Sequence, residues 1–244
     1  MQQVVIVLPA FEPDARLQKL VRRLRPAFPD IVVVNDGSRT SGALFDELAA
    51  VGGVTVLTHA ENRGKGAALK TAFAEVLRRF PDACGVVTAD ADGQHLPEDI
   101  VRVAEALRRN QDRLVLGVRA FGAGVPFRSR LGNLWTVAEF RLLTGRLVRD
   151  TQTGLRGIPL ALIPGFGTLP GERYDFEIRM LANAATQTAG IVQVPIETVY
   201  EKGNGTSHFR PLADTLDTQR ALFAEALKSR FGRRVRPNRP PILV

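Results

Sequence analysis

The stretch Gly85-Val-Val-Thr-Ala-Asp-Ala-Asp-Gly-Gln94 points to the class of fold, because a short β-branched run ends directly in two carboxylates. Turn residues bound the run on both sides, which is typical of a buried strand. Side chains two apart share a face of a strand, and Gly93 lets the chain turn, so Asp90, Asp92 and Gln94 can converge. This pattern favours a site for Mg²⁺ or Mn²⁺. The alternative is an ordinary turn in which Asp caps backbone amides.

The rest of the chain repeats this arrangement of strand and polar turn. Apolar runs alternate with amphipathic segments as far as about Leu116, which predicts an α/β fold with a mostly parallel central sheet flanked by helices. The predicted strands cover residues 4–8, 31–34, 54–57, 85–89 and 114–118. The second half is predicted to hold a helix over 128–143, a Gly/Pro-rich stretch over 154–171, a helix over 174–185, a strand over 191–194 and a helix over 212–231.

Polar residues of unusual type follow these strands. Pro9 and Glu12 come after the first, Asn35-Asp-Gly-Ser38 after the second, and Arg119 after the fifth. In open α/β sheets, ligands bind at the edge where the strands end. The sequence therefore predicts one shared ligand site at that edge, with the two aspartates within it.

Length and composition narrow the class of protein. A chain of 244 residues with 45% hydrophobic content is compatible with one α/β domain, or with one such domain plus a small appendage. The single cysteine, Cys84, excludes an internal disulfide and favours a reduced, cytoplasmic setting. We expect no signal peptide and no membrane-spanning segment.

The positive charge is concentrated at the C-terminus. The net charge is +8, and residues 228–244 contribute six basic side chains without an acid. With only 7% aromatic residues and a nearly balanced body, the chain is not expected to bind nucleic acid. The basic segment follows a helix whose apolar residues fall roughly on one face (Leu216, Leu222, Phe223, Ala226, Leu227 and Phe231). That helix either lies on an anionic membrane or packs on the domain. Trp135, at helical spacing with Leu131 and Leu142, is expected in the core.

Eight short motifs follow one another in a recognisable order. They are Pro9-x-x-Glu12, Asn35-Asp-Gly-Ser38, Arg63-Gly-Lys-Gly66, Asp90-Ala-Asp-Gly-Gln94, Gly117-x-Arg119, Asp150-Thr-x-x-Gly-x-Arg156, Tyr174-x-x-Glu177 and Gly203-Asn-Gly-Thr-Ser-His-Phe209. Together they resemble the family-two glycosyltransferases with a GT-A fold, within them the dolichyl-phosphate mannose synthase and polyprenyl-phosphate glycosyltransferase group. The resemblance implies a catalytic domain over residues 1–210, a C-terminal amphipathic helix over 211–231 and a basic tail over 232–244.

The resemblance also implies roles for individual residues. It assigns Pro9, Phe11, Glu12 and Asp36 to the nucleotide of a UDP- or GDP-hexose, and Asp90, Asp92 and Gln94 to the metal and the donor diphosphate. Lys65 is expected to contact a phosphate or to be a solvated loop charge. The candidates for binding anionic oxygens are Arg119, Arg128 or Arg130, and Arg156.

The acceptor stays open between two kinds of molecule. A polyprenyl phosphate is already an anion and needs no base, whereas a hydroxyl acceptor needs one, for which Asp175 and Glu177 are the candidates. The late motif has Ser207-His208 where the group commonly has Ser-Lys, so Lys202 or His208 is expected to replace that lysine. A nucleotidyltransferase is disfavoured, because the turn after the first strand lacks a Gly-rich basic loop. An anionic membrane surface and a separate membrane protein are the further expected partners.

Overall fold

A computed structural model describes residues 2–119, 127–187, 190–197, 211–231 and 242–243. For residues 127–133, 187, 211–216, 228–231 and 242–243 the description covers the backbone only. The strands are β1 (Val4–Ala10), β2 (Ile31–Asn35), β3 (Val54–Thr58), β4 (Gly85–Thr88), β5 (Leu114–Arg119), β6 (Arg156–Pro159), β7 (Ile191–Ile196) and β8 (Ile242–Leu243). The helices are α1 (Ala15–Leu24), α2 (Gly42–Ala49), α3 (Lys65–Arg79), α4 (Pro97–Arg109), α5 (Phe127–Thr144), α6 (Ile163–Gly167), α7 (Tyr174–Gln187) and α8 (Pro211–Phe231).

These strands form one eight-stranded sheet in the order β3-β2-β1-β4-β6-β5-β7-β8. All neighbouring pairs are parallel except those of β6, which runs antiparallel to both β4 and β5. Apolar clusters cover both faces of the sheet, so β1, β2 and β4 are buried throughout. A strand buried on both faces reads as a continuous apolar run, which is the pattern seen in the sequence. The predicted α/β fold with a mostly parallel sheet is confirmed.

Strand register brings the predicted polar turns to one edge. Val7 on β1 is level with Thr88 on β4, and Ala10 is level with Asn35 on β2. The segments after β1, β2 and β4 therefore leave the sheet side by side. Asp36 and Asp90, which follow the last two of these strands, open onto the same space.

The strand β6 is the main difference from the expected organisation. The sequence indicated a Gly/Pro-rich stretch over residues 154–171 and no strand was predicted in it, yet Arg156–Pro159 pairs with two neighbours in the middle of the sheet. Gly and Pro are depleted in strands, so this four-residue segment carries little signal of its own. A Cβ on Gly157 would lie 3.1 Å from Val115 Cβ and 3.2 Å from Leu107 Cβ. The glycine is therefore needed for the close packing of α4 on β5 and β6.

The two helices α5 and α8 correct two further expectations. Trp135 was expected in the core, but it is 70% exposed and Leu142 is 77% exposed. In α8, Leu222 and Ala226 are buried whereas Phe223 and Leu227 are exposed, so its apolar residues do not share one face. Helical spacing identifies a stripe on a helix, but it does not say which stripe faces the protein. The buried side of α8 packs against α7.

The C-terminal boundaries stay a prediction, with one addition from the structure. The expected helix over 211–231 is present as α8. The end of the expected basic tail forms β8, which pairs in parallel with Val192 and Gln193 of β7. Lys202 and His208 lie outside the described residues, as does the motif over 203–209.

Candidate active site

A cavity of about 460 Å³ opens at the edge of the sheet where β1, β2, β4 and β5 end. Its wall includes the turn after β1, Asp36 after β2 and residues 90–94 after β4. Arg119 at the end of β5 also lines it. Helices α5, α7 and α8 contribute further residues to the wall. The cavity thus lies where parallel α/β sheets place their ligands.

The carboxylate of Asp90 lies between the side chains of Lys65 and His95. Its Oδ1 is 2.6 Å from Lys65 Nζ, and its Oδ2 is 3.1 Å from His95 Nε2. Burial by itself raises the pKa of Asp90, but the Lys65 ammonium and the hydrogen bond from His95 hold it well below its usual range. Asp90 is therefore a carboxylate at any physiological pH.

The backbone of the segment before β6 sets the position of Asp90. A Cβ on Gly154 would lie 2.5 Å from Asp90 Oδ2, so only glycine allows the carboxylate to approach this closely. The Thr88 hydroxyl donates a 2.8 Å hydrogen bond to the Gly154 carbonyl and joins the two segments. The Asp-x-Asp stretch and the loop after α5 therefore form one unit.

Lys65 is the first residue of α3, and its ammonium bridges two acids. It lies 2.6 Å from Asp90 Oδ1 and 2.9 Å from Oε2 of Glu177, in the first turn of α7. Burial alone lowers the pKa of Lys65, but these two carboxylates raise it above its usual value. The lysine is thus neither a solvated loop charge nor an unpaired phosphate ligand in this structure.

Asp92 has a different environment from Asp90. Its Oδ1 accepts a 3.0 Å hydrogen bond from the backbone N–H of Gln94, across the turn at Gly93. Burial, together with the negative charge of Asp90, raises the pKa of Asp92. A nearby cation would stabilise a carboxylate whose ionised form is disfavoured in this way. Gln94 lines the cavity beside it.

The expected nucleotide residues Pro9, Phe11, Glu12 and Asp36 all line the cavity. Glu12, at φ +46°, accepts hydrogen bonds from the Thr40 hydroxyl and the backbone N–H of Arg39. These two bonds lead the contributions that lower the pKa of Glu12 to about 2. Its carboxylate is therefore engaged in fixing the turn after β2.

Asp36 is buried and also has protein partners. It accepts hydrogen bonds from the backbone N–H groups of Arg63 (3.0 Å) and Gly64 (2.7 Å), and its Oδ1 is 2.7 Å from His59 Nδ1. Asp36 thus holds the loop that leads into Lys65. It borders the cavity without having its carboxylate free for a ligand.

The two arginines with described side chains both line the cavity, but they differ in how deeply they are buried. Arg119 makes a bidentate pair with the fully buried Asp150, at 2.6 and 3.0 Å, and lines the cavity. Arg156 is 1% exposed and donates to the carbonyls of Thr153 and Glu177. Burial lowers its pKa. The side chains of Arg128 and Arg130 lie outside the described part of the chain.

The structure separates the two acids that were candidates for a base. Glu177 lines the cavity, and its Oε1 is buried and has no hydrogen-bond partner among the described residues. Arg156 Nε lies 3.9 Å from this oxygen. Asp175 is not part of the cavity wall. It accepts from the backbone N–H of Arg173 and from Arg179 Nε.

Several residues of this region were not singled out from the sequence. His95 contacts Asp90, His59 contacts Asp36, and Glu139 of α5 borders the cavity. Burial raises the pKa of Glu139. His95 is five positions after Asp90, and the turn at Gly93 brings the chain back, so this contact could have been predicted from the sequence. No sequence signal pairs His59 with Asp36 or brings α5 to the cavity.

Comparison with known proteins agrees with this geometry. Residues 5–162 match the model for glycosyl transferase family 2. The undecaprenyl-phosphate mannosyltransferase of Micrococcus luteus is 32% identical, covering 84% of this chain and 86% of that protein. The polyprenol monophosphomannose synthase of Mycolicibacterium smegmatis is 30% identical, covering 84% and 80%.

Two more distant similarities are consistent with these matches. The UDP-N-acetylglucosamine–dolichyl-phosphate N-acetylglucosaminyltransferase of Methanococcus voltae is 27% identical, covering 81% of this chain and 86% of that protein. The crystal structure of S. aureus TarS residues 1–349 has the same GT-A fold. It superposes with a TM-score of 0.54 at 15% identity, covering 97% of this chain and 73% of that chain.

Proposed function

The chain belongs to glycosyl transferase family 2 and is a glycosyltransferase, and from this premise we propose that it moves a hexose from a UDP- or GDP-sugar to a polyprenyl phosphate. We further propose that the transfer inverts the anomeric centre and requires Mg²⁺ or Mn²⁺. The observation that carries the proposal is the placing of Asp90 and Asp92 in one cavity with the residues expected to hold the nucleotide. The names of the relatives support undecaprenyl or dolichyl phosphate as the acceptor.

The donor set at the end of β4 fits a hard divalent cation that is shared with a diphosphate. Asp92 is an acid destabilised by burial and by its neighbour, as expected of a group that awaits a cation. Within the described residues, no group of three or more His, Cys, Asp or Glu side chains is arranged to hold a metal ion. Two or three protein oxygens suffice for Mg²⁺, because water and phosphate oxygens complete its shell. Asp90, Asp92 and Gln94 would hold the cation, which when bound would stabilise the charge on the departing diphosphate.

The residues around the proposed donor site hold loops in place and present fixed charges to the donor. Asp36 and Glu12 hold the loops whose backbones border the nucleotide pocket, beside Pro9 and Phe11. Lys65 supplies a positive charge beside Asp90, within reach of a diphosphate in the same cavity. Arg119 is oriented by its bidentate pair with Asp150 and presents its charge to the cavity wall. A fixed guanidinium suits the recognition of a phosphate oxygen.

The environment of Glu177 favours an acceptor that needs no base. Its carboxylate is paired with the Lys65 ammonium at 2.9 Å, and Arg156 lies behind it. Because Oε2 is engaged in this ion pair, it is not free to accept a proton from a substrate hydroxyl. A lipid phosphate is already an anion at neutral pH and can attack the anomeric carbon directly. A hydroxyl acceptor would instead depend on Glu177, since Asp175 is not part of the cavity wall.

The proposed acceptor places the reaction at a membrane. No helix in the described part of the chain is long and apolar enough to cross one. We propose that the protein works at the cytoplasmic face as a peripheral enzyme, with the basic residues of 228–244 attracted to anionic lipid. A separate membrane protein is proposed to receive the product.

A transfer assay tests the proposal. The full chain is incubated with radiolabelled UDP- and GDP-hexoses and either undecaprenyl or dolichyl phosphate, with Mg²⁺, with Mn²⁺ or with EDTA. We expect label in the lipid phase with one donor, and only when a cation is present. The matched control is the polyprenol without phosphate, which should stay unlabelled. Labelling of the polyprenol instead would favour the hydroxyl acceptor, and no labelled lipid with any donor would rule out the proposed acceptor.

A further inference from the structure

Six large apolar side chains are exposed in the described part of the chain, and all of them lie on α5, the loop after it, or α8. They are Leu134, Trp135, Leu142, Leu147, Phe223 and Leu227, here called the apolar face. Their exposed fractions range from 42% to 77%. Single exposed apolar residues are ordinary on a protein surface, but such concentration on two helices marks an interaction site.

Within each helix, the exposed residues fall on one stripe. Trp135 and Leu142 are seven positions apart, which is two turns of α5, and Arg141 is exposed beside them. In α8, Arg220, Phe223 and Leu227 follow at i, i+3 and i+7. The opposite sides of both helices face the protein, with Phe140, Leu222 and Ala226 buried. Each helix therefore shows an apolar stripe with an arginine in it.

The same two helices form part of the cavity wall. They pack against each other, and Thr136 and Glu139 of α5 and Thr218 and Gln219 of α8 line the cavity. The apolar face is thus built on the helices that enclose the place of reaction. A molecule lying against it is within one helix width of the cavity.

From these observations we propose that the apolar face is the surface by which the protein docks on a lipid bilayer. Exposed arginines among leucine, tryptophan and phenylalanine suit an anionic bilayer, where apolar side chains enter the headgroup boundary and cations meet lipid phosphates. Tryptophan favours this interfacial layer. The proposal rests on the proposed function in one respect, because a lipid acceptor explains why a docking face adjoins the cavity.

Docking of this kind would present the acceptor directly to the enzyme. A polyprenyl chain would stay in the bilayer while its phosphate enters the cavity that α5 and α8 border. The enzyme would then need no long apolar tunnel for the lipid tail. Six basic residues follow in the sequence over 228–244, and their charge would add to the attraction of the chain for anionic lipid.

The sequence provides a direct probe, since Trp135 is the only tryptophan. Its emission is recorded for the full chain with vesicles of phosphatidylglycerol and phosphatidylcholine, with pure phosphatidylcholine vesicles, and with brominated lipid as a quencher. We expect a blue shift and quenching with the anionic vesicles, and weaker effects with the neutral ones. Vesicle binding without a change in Trp135 emission would overturn the proposal. A blue shift that depends on protein concentration without vesicles would also overturn it, in favour of a second copy covering this face.

Two sets of variants locate the contact. The variant with Leu142→Ser, Phe223→Ser and Leu227→Ser should lose at least about tenfold in vesicle affinity, because buried apolar area sets the strength of interfacial binding. The variant with Arg141→Gln and Arg220→Gln should bind anionic vesicles several-fold more weakly. The matched control carries Arg22→Gln and Arg109→Gln, which remove two exposed arginines from α1 and α4. Equal loss in control and test would show that only total charge matters, and would overturn the proposal.

The outcome is distinguishable from a failure of the proposed function. Transfer to a short-chain polyprenyl phosphate in detergent should be unchanged in the serine variant, whose melting temperature verifies its fold. If the enzyme transfers sugar to lipid phosphate in detergent but the Trp135 emission does not change on vesicles, the docking proposal is wrong and the proposed function stands. If Trp135 inserts into vesicles but no sugar is transferred to lipid phosphate, the docking proposal stands and the proposed function is wrong.

Discussion

The ammonium of Lys65 lies 2.6 Å from Asp90 Oδ1, where it neutralises a carboxylate that the proposed cation also needs. The same ammonium is 2.9 Å from Glu177 Oε2, so it is held from both sides. A divalent ion at Asp90 meets Coulomb repulsion from this lysine. Lys65 is therefore placed to oppose the binding of a metal ion until a diphosphate supplies new negative charge.

Replacing Lys65 by methionine should strengthen metal binding in the absence of nucleotide. We expect Mn²⁺ affinity to rise at least about tenfold, since removing a like charge near the ion is worth 1.4 kcal/mol or more. Electron paramagnetic resonance of free Mn²⁺ measures this directly. Lys65→Arg keeps the charge and should behave as the wild type. Mn²⁺ binding by the methionine variant that is no tighter than wild type would contradict this role.

Asp92→Asn should reduce turnover by at least about 10², a magnitude usual for loss of one preorganised electrostatic contact. The substitution keeps the size of the side chain and its turn with Gln94, so the fold should persist. The measurement is kcat for sugar transfer at saturating cation. Asp82→Asn, an exposed acid before the same strand, is the control. Near-normal turnover for Asp92→Asn would count against the site.

Glu177→Gln distinguishes the two acceptor classes. If the acceptor is a phosphate, the glutamine still contacts Lys65 and we expect a loss of no more than about tenfold, since no base is removed. The pH–rate profile should keep its shape. A loss of 10³ or more, together with loss of the acidic limb of that profile, would instead identify Glu177 as a base acting on a hydroxyl.

Gly154→Ala tests how the segment before β6 places Asp90. The added Cβ would meet Asp90 Oδ2 at 2.5 Å, so the carboxylate must shift, and we expect turnover to fall by at least about tenfold. Gly167→Ala is the matched control, because a Cβ there has no atom within 4 Å. Mn²⁺ titration provides a second measurement. Equal activity of the two alanine variants would show that Asp90 tolerates the displacement.

Glu12 should make stability depend on pH. Because its folded pKa is lowered from 4.5 to about 2, it stabilises the fold above pH 4.5, and the contribution is lost as the pH falls from 4.5 towards 2. Glu12→Gln should therefore cost about 1 kcal/mol in the free energy of unfolding at pH 7, with the difference shrinking below pH 4.5. Urea unfolding at several pH values measures it, with the exposed Glu61→Gln as control. A difference that grows on acidification would contradict the assigned hydrogen bonds.

The sequence was informative where one local segment carries its own pattern. Strands β1, β2, β4 and β5 contain buried apolar runs, whereas β3 intersperses its apolar residues with threonine. The motifs after β1, β2, β4 and β5 share an edge because parallel strands end together. The strand β6 escaped because Arg156–Pro159 has neither β-branched alternation nor length, and its pairing is set by its neighbours. The Lys65–Glu177 pair escaped for a related reason. It joins α3 to α7, and no local pattern reports a contact between distant segments.

The exposure of Trp135 shows a second limit of sequence patterns. An apolar stripe at helical spacing is the same whether it faces a core or a bilayer. Only the packing of α5 against α8 and α7 shows which side is already covered. The assumption that aromatic side chains are buried was therefore wrong for this residue.

The hydrogen bonds from Arg63 and Gly64 to Asp36 have a practical implication for protein engineering. They anchor the chain segment that immediately precedes Lys65, so the proposed nucleotide end and the proposed cation end of the cavity share a single length of backbone. A redesign that alters Asp36 to accept a different nucleobase would also move the lysine beside Asp90. Donor choice and metal requirement should then change together, and libraries aimed at new sugar nucleotides need to vary both positions at once.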